Sequence, residues 1–178
     1  MFLKKQVSEL NEIRGAMIFE FFSPGIPIIL KNAGCQFIIF DMEHGGLSLE
    51  QFKTLAAISN ANGISPLIRI PEVSYNYIAR ALDIGAAGIM APMVNTSEDA
   101  IKIVQSSKYP PKGVRGAGFG FAHDNYENKN PLLYIKEANE KLLNIIQIET
   151  KIGLENVEKI AAINGVDCLW VGHFDLTN

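Results

Sequence analysis

Apolar runs and amphipathic stretches alternate along this chain. G-A-M-I-F-E-F-F, residues 15–22, is a short apolar run after a charged lead-in and predicts strand 1. Pro24 and Gly25 punctuate it. Residues 26–33 then show helical apolar spacing, closed by Gly34. Residues 37–46, F-I-I-F-D-M-E-H-G-G, begin as a buried strand 2, turn polar and end glycine-rich. Ser48 predicts the cap of the next helix, with Gln51 completing a capping box, and that helix runs to about Asn60. Residues 65–71 predict strand 3, with Arg69 near its carboxyl end and Pro71 ending it. Residues 75–84 read as a helix closed by Gly85, and residues 88–94 as strand 4. Thr96 or Ser97 caps another helix, whose first turn holds Glu98 and Asp99, on the side the helix dipole favours.

Residues 109–130 break the alternation. They are rich in glycine and polar residues and predict a long functional loop rather than core. A helix over 132–143 leads to strand 5, residues 144–149, and a further helix leads to strand 6, residues 166–171. The repeat is therefore β-α, which predicts a parallel sheet with crossover helices. Polar residues gather at the carboxyl ends of four strands: Asp41, Glu43, His44, Arg69, Gln147, Glu149 and Asp175. A doubly wound sheet binds ligands at one crevice, whereas a TIM-type (β/α)8 barrel spreads its site over many strand ends. No G-x-G-x-x-G joins a strand to a helix, so no dinucleotide site is expected. The pattern favours the barrel, within one domain over residues 1–178. Such barrels have eight units and typically about 250 residues. About six units are found here, so strands 7 and 8 are expected to be absent, or the ring to be completed in another way. Strands 1 and 6 would have open edges.

The bulk numbers narrow the class. The chain has 178 residues, 48% of them hydrophobic, with a net charge of -3. That suffices for a real core and makes no electrostatic case for nucleic acid or an anionic membrane. No apolar run is long enough to span a bilayer, and charges come too early for a signal peptide. Cys35 and Cys168 each sit in a strand-like apolar pattern and read as packing residues, which suits a cytoplasmic setting.

The polar strand ends carry the candidate chemistry. Gln147 and Glu149 lie two residues apart and point to the same side of strand 5. Glu149 and Asp175 leave neighbouring parallel strands at the same end, where they form half of an oxygen-ligand shell for a divalent cation, Mg²⁺, Mn²⁺ or Co²⁺. A closed zinc site is not expected, since His173 is the only imidazole nearby. Arg69, a lone cation in an apolar strand, would hold a keto acid's oxygens and stabilise an enolate. His44, at a strand-to-loop junction, would move a proton, with an acid such as Asp83 orienting it. Gly172 and His173, just after strand 6, join Arg69 and Gln147 as candidate substrate-binding residues. His123 and Lys151 read as loop residues, and no strand-end lysine suits a Schiff base.

Six ordered motifs resemble the HpcH/HpaI aldolase family of metal-dependent pyruvate aldolases. They are D-M-E-H-G (41–45), R-I-P (69–71), L-D-I-G-A-A-G-I-M-A-P-M-V (82–94), Y-P-P-K-G-V-R-G (109–116), Q-I-E-T (147–150) and G-V-D through G-H-F-D-L (165–176). The resemblance implies that Glu149 and Asp175 bind the metal and that Arg69 contacts the pyruvyl oxygens. It implies that His44 pairs with Asp83 in proton transfer, and that Gln147 lines the pyruvate site. It also implies swapped-helix barrels assembled as hexamers, with the swapping helix C-terminal to this chain. Two positions depart: His173, where members often have Pro, and His123, where some carry an Arg that selects acidic aldehydes. The activity so implied is cleavage of a 4-hydroxy-2-oxo acid to pyruvate and an aldehyde through a metal-stabilised enolate. The alternatives are a malyl-CoA/citrate-lyase-like carbon–carbon lyase, or a truncated, non-catalytic barrel fragment.

Overall fold

Six parallel strands lie side by side in the order in which the chain makes them. They are β1 (Gly15–Ile18), β2 (Phe37–Asp41), β3 (Ser65–Arg69), β4 (Gly88–Ala91), β5 (Leu143–Ile148) and β6 (Cys168–Val171). The computed structural model describes residues 2–9 and 12–178. A doubly wound sheet reverses its strand order at a switch point. Here there is no reversal, so right-handed crossovers put the helices on one face and the sheet curls. The result is a half-barrel made of six of the eight units of a TIM-type fold, as the repeat predicted.

The helices between strands are α2 (Ile26–Asn32), α3 (Leu49–Ala61), α4 (Tyr75–Asp83), α5 (Ser97–Ser107) and α6 (Pro131–Lys141), after a short α1 (Leu3–Ser8). Between β5 and β6 two short helices stand where one was expected, α7 (Lys151–Glu155) and α8 (Val157–Ala161), and α9 (His173–Leu176) follows β6. The break falls at Asn156, whose side-chain amide bonds both the Asn95 and the Ile152 carbonyls. The predicted capping box of Ser48 with Gln51 forms, and of the two candidate caps of α5 it is Thr96 that serves, in a box with Asp99 that was not expected.

Strand periodicity sorts the core into two layers. Ile38, Phe40, Ile68, Ile89, Ala91 and Ile146 face outward and pack against helical residues such as Phe52, Leu55, Ile78 and Ile103. Ile39, Leu67, Met90, Leu143 and Ile145 face the barrel interior, where Leu3 of α1 joins them. Two residues further along these interior rows stand Asp41, Arg69 and Gln147. The interior rows of β2, β3 and β5 are thus apolar at the base and polar at the carboxyl end.

Four strands are shorter than expected. β3 stops at Arg69 rather than at residue 71, and β4 at Ala91 rather than at residue 94. Strand 1 stops at Ile18, and residues 19–22 leave the sheet to form a rim at the carboxyl ends, with Phe21 76% exposed. Strand 6 begins at Cys168 rather than at residue 166, because residues 163–166 turn, with the Val166 amide bonding the Ile163 carbonyl. The long loop contains one 3-10 turn, Ala122–Asp124. Its anchors are buried, contrary to its polar composition. Tyr109 is fully enclosed, Arg115 stacks on its ring at 4.4 Å, and Asp124 accepts from the Gly120 amide at 2.6 Å.

Candidate active site

At the end of β2 the chain makes a tight polar turn. The Asp41 carboxylate accepts from the backbone amides of Glu43 (3.2 Å) and His44 (2.9 Å). Gly45 is required there, since a side chain would run into the Phe19 carbonyl and lie 3.1 Å from the Asp41 carbonyl. Arg69 reaches across from β3, whose last residue is paired in register with Asp41. Its Nε donates to Asp41 Oδ1 at 2.5 Å. Its Nη1 lies 3.0 Å from Glu43 Oε2 and donates to Gln147 Oε1 at 3.5 Å. The Phe19 ring covers the guanidinium at 5.5 Å.

Gln147 carries the network onward. Its amide oxygen faces Arg69 and its Nε2 donates to Glu149 Oε2. A flipped amide would aim its hydrogens at a cation and its oxygen at a carboxylate, so the two charges fix its orientation. Glu149 is 3% exposed, and its Oε1 accepts from the Met93 amide at 2.6 Å. Gly172 closes the far side, after its amide extends the β5–β6 ladder to the Ile148 carbonyl at 2.9 Å.

Two buried polar atoms in this cluster have no hydrogen-bond partner: Arg69 Nη2 and Glu43 Oε2. The second lies near Arg69 Nη1 but is not aligned for a hydrogen bond. Burial alone would raise the Asp41 carboxyl. The Arg69 hydrogen bond, the His44 and Glu43 amides and the Arg69 charge outweigh it and hold Asp41 below the usual carboxylate range. Glu43 goes the other way. Burial raises it, Arg69 opposes, and the Glu149 charge adds to the rise. The cluster thus keeps an unused N–H donor beside buried acidic oxygens.

The predicted residues do not all converge. Arg69, Gln147, Glu149 and Gly172 form one contiguous site. His44 stands at its rim with its side chain 62% exposed and Nε2 3.8 Å from Glu43 Oε2. Asp175 and His173 lie in α9, at the same end as Glu149, but both are exposed, and His173 stacks on Phe174 at 4.1 Å. Among the described residues no group of three or more His, Cys, Asp or Glu is placed to hold a metal. A cation at Glu149 and Asp175 would therefore keep open positions, which suits a hard, oxygen-seeking ion. The unpartnered Glu43 oxygen near Glu149 fits the same charge.

Asp83 is the clear departure. It ends α4, which runs back along the sheet, so it stands at the amino ends of the strands, opposite Arg69. There its Oδ1 accepts from Arg115 at 3.2 and 2.6 Å, and its carbonyl lies 3.1 Å from His123 Nδ1. Within one chain Asp83 does not orient His44. It belongs with Arg115 and His123 in the long loop. The sequence reading missed Arg115, although its motif was in view, and missed Phe19 and the Met93 amide. Only Arg115, the one arginine of a glycine-rich loop, left a signal in residue type.

Gly172 provides a test of this packing. A Cβ there would lie 2.7 Å from Glu149 Cβ, 2.8 Å from its Oε2 and 2.9 Å from Gln147 Nε2. Gly172→Ala is expected to cost about 1–3 kcal/mol by overpacking, read by urea unfolding. Gly46, where an added Cβ would meet nothing within 4 Å, is the control, and Gly46→Ala should stay within about 0.5 kcal/mol.

The comparisons with known proteins agree with this architecture. The family profile described as HpcH/HpaI aldolase/citrate lyase matches residues 21–178. A hydroxypyruvate/pyruvate aldolase of Deinococcus radiodurans is 35% identical over 153 residues, 84% of this chain and 53% of its own length. A 4-hydroxy-2-oxovalerate aldolase of Novosphingobium aromaticivorans is 38% identical over 154 residues, 86% of this chain and 58% of its own. The chain thus spans just over half the length of these relatives. The crystal structure of an HpcH/HpaI aldolase from Desulfitobacterium hafniense superposes with a TM-score of 0.96 at 34% identity, over 100% of this chain and 68% of that one. A structure of citrate synthase SbnG superposes at 0.85 with 29% identity, over 99% of this chain and 67% of that one. With its fold and nearly its whole length matched, the chain belongs to the HpcH/HpaI aldolase/citrate lyase family.

Proposed function

We propose that this site cleaves a 4-hydroxy-2-oxo acid to pyruvate and an aldehyde. The observation that carries the reading is the buried Arg69, whose Nη2 is unpartnered while its Nη1 reaches Gln147, which in turn holds Glu149. A guanidinium with an N–H to spare is suited to the carboxylate and 2-oxo oxygens of a keto acid. A proton leaves the 4-hydroxyl, the C3–C4 bond breaks, and its electron pair moves onto the 2-oxo carbonyl as an enolate. Protonation at C3 then gives pyruvate. Arg69 holds the oxygen on which charge develops. His44, exposed at the rim, is placed to exchange the proton with solvent or substrate. Glu149 and Asp175 are the residues that would hold a divalent cation, which would supply Lewis-acid polarisation of the oxo acid.

The test is Glu149→Gln, which keeps the side chain's shape and removes its charge. Pyruvate release, followed with a coupled dehydrogenase, is expected to fall at least about 10²–10³-fold. Activity equal to that of the parent protein rejects the assigned role. A second reading has one support, the structural neighbours titled citrate synthase. It makes the site a carbon–carbon lyase or synthase for larger polycarboxylates. A panel pairing 4-hydroxy-2-oxo acids with citrate and malyl thioesters separates the two.

Because Asp83 stands at the far end of the sheet, its pairing with His44 is proposed to form between neighbouring copies of the protein. That proposal makes the working enzyme an oligomer.

A further inference from the structure

Met93 follows Pro92 in the loop from β4 to α5. Its φ is 54°, in the left-handed region, where an L side chain is disfavoured. Asn125 and Tyr126 are the other non-glycine residues of this kind among the described residues, and both lie in the long loop. Core packing does not explain the strain at Met93, whose side chain is 52% exposed. What the conformation achieves is to turn the Met93 amide toward Glu149 Oε1, 2.6 Å away.

The loop is clamped to the segment that carries Glu149. Asn95 Nδ2 donates to the Met93 carbonyl at 3.1 Å, and Thr150 Oγ1 donates to Asn95 Oδ1. Asn156 Nδ2 donates to the Asn95 carbonyl at 3.1 Å. Gly153 lets the first turn of α7 touch the loop directly, since a Cβ there would lie 2.6 Å from the Val94 carbonyl. Val94 itself is fully buried. The β4–α5 loop and the start of the β5–α7 segment are therefore tied together at several points, with the amide and the carboxylate on facing sides. Gln147 holds the other carboxylate oxygen. Each Glu149 oxygen has one donor and keeps one lone pair for a ligand.

We infer that Met93 is a positioning residue, whose left-handed backbone aims the Glu149 carboxylate for a divalent cation. The inference rests on the reading of Glu149 as a cation ligand and adds what orients it. Residue type at position 93 then matters through the backbone. Glycine adopts this conformation freely, whereas a β-branched residue resists it.

The experiment is Mn²⁺ binding to the chain, by calorimetry or by electron paramagnetic resonance, without substrate. Met93→Gly should bind within about twofold of the parent, and Met93→Val at least about tenfold more weakly, the range seen when groups that orient metal ligands are removed. Thermal melts establish that each variant is folded. Should Met93→Val fail to fold, Asn95→Ala decides, because it unties the loop without changing residue 93, and it too should weaken Mn²⁺. Glu149→Gln is measured alongside. If Glu149→Gln loses Mn²⁺ while Met93→Val, or Asn95→Ala in its place, binds as the parent does, the role of Met93 is overturned and that of Glu149 stands. If Glu149→Gln binds as well as the parent, the reading of Glu149 itself fails and takes the inference with it.

Discussion

Replacing Arg69 with Met is expected to abolish pyruvate formation and to cost about 3–5 kcal/mol of folding stability, the range for breaking one half of a buried ion pair. Arg69 is 5% exposed and Asp41 fully buried, so the carboxylate left behind has no solvent to turn to. The two losses have different origins and can be separated. Arg69→Met with Asp41→Asn removes the orphaned charge and should recover part of the stability, with no gain in activity. Arg69→Lys keeps the charge but not the planar fork, so it should retain more stability than activity. The pH dependence gives an independent check. In the parent protein the folded Asp41 lies below its ordinary 3.8, so its contribution is present above that value and lost as pH falls through the folded one. Without Arg69, Asp41 loses two of the influences that hold it down and keeps the burial that raises it, so its carboxyl moves up and that pH-dependent contribution shrinks. The stability gap between parent and Arg69→Met should therefore shrink in acid. A gap independent of pH would remove Asp41 from the explanation.

The same interior rows explain what could be read from residue order alone. Ile39 to Asp41, Leu67 to Arg69 and Ile145 through Gln147 to Glu149 each keep period two, so a polar residue at the end of an apolar row had to face the barrel mouth. The capping box at Ser48 and a cap at Thr96 or Ser97 were legible for an equally local reason. Features that depend on three-dimensional direction were not. Asp83 shares a motif with β4 yet ends a helix, and that alone carries it to the opposite rim. Asp175 was matched to Glu149 by its position after a strand, but the turn into α9 leaves it exposed. The Met93 amide contributes through a backbone angle that methionine does not announce. Phe19 reads as a strand residue, yet the strand ends before it and frees the ring to cover Arg69.

Mixing two inactive variants is expected to restore activity if His44 and Asp83 meet between copies. His44→Ala removes the proposed proton carrier. Asp83→Asn removes the charge that would orient it, while still offering Arg115 an oxygen to bond. The Asp83 side chain is 41% exposed, and both Arg115 hydrogen bonds fall on Oδ1, so that pair leaves Oδ2 out. An acid that served only to anchor the loop would need no such exposure. Each variant alone should lose at least about 10²-fold in pyruvate release, the usual contribution of a positioned proton-transfer group. When the two are unfolded and refolded together at equal amounts, random pairing around a closed ring gives about a quarter of the sites a His44 and an Asp83 that are both intact. Activity should then rise from near background to about a quarter of the parent value. Refolding each variant separately before mixing keeps the assemblies apart and should give no rise until subunits exchange. A pairing made within one chain predicts no recovery under either protocol, because no variant chain carries both groups. It would also require α4 to end at the carboxyl side of the sheet, against the run of every β-α unit here.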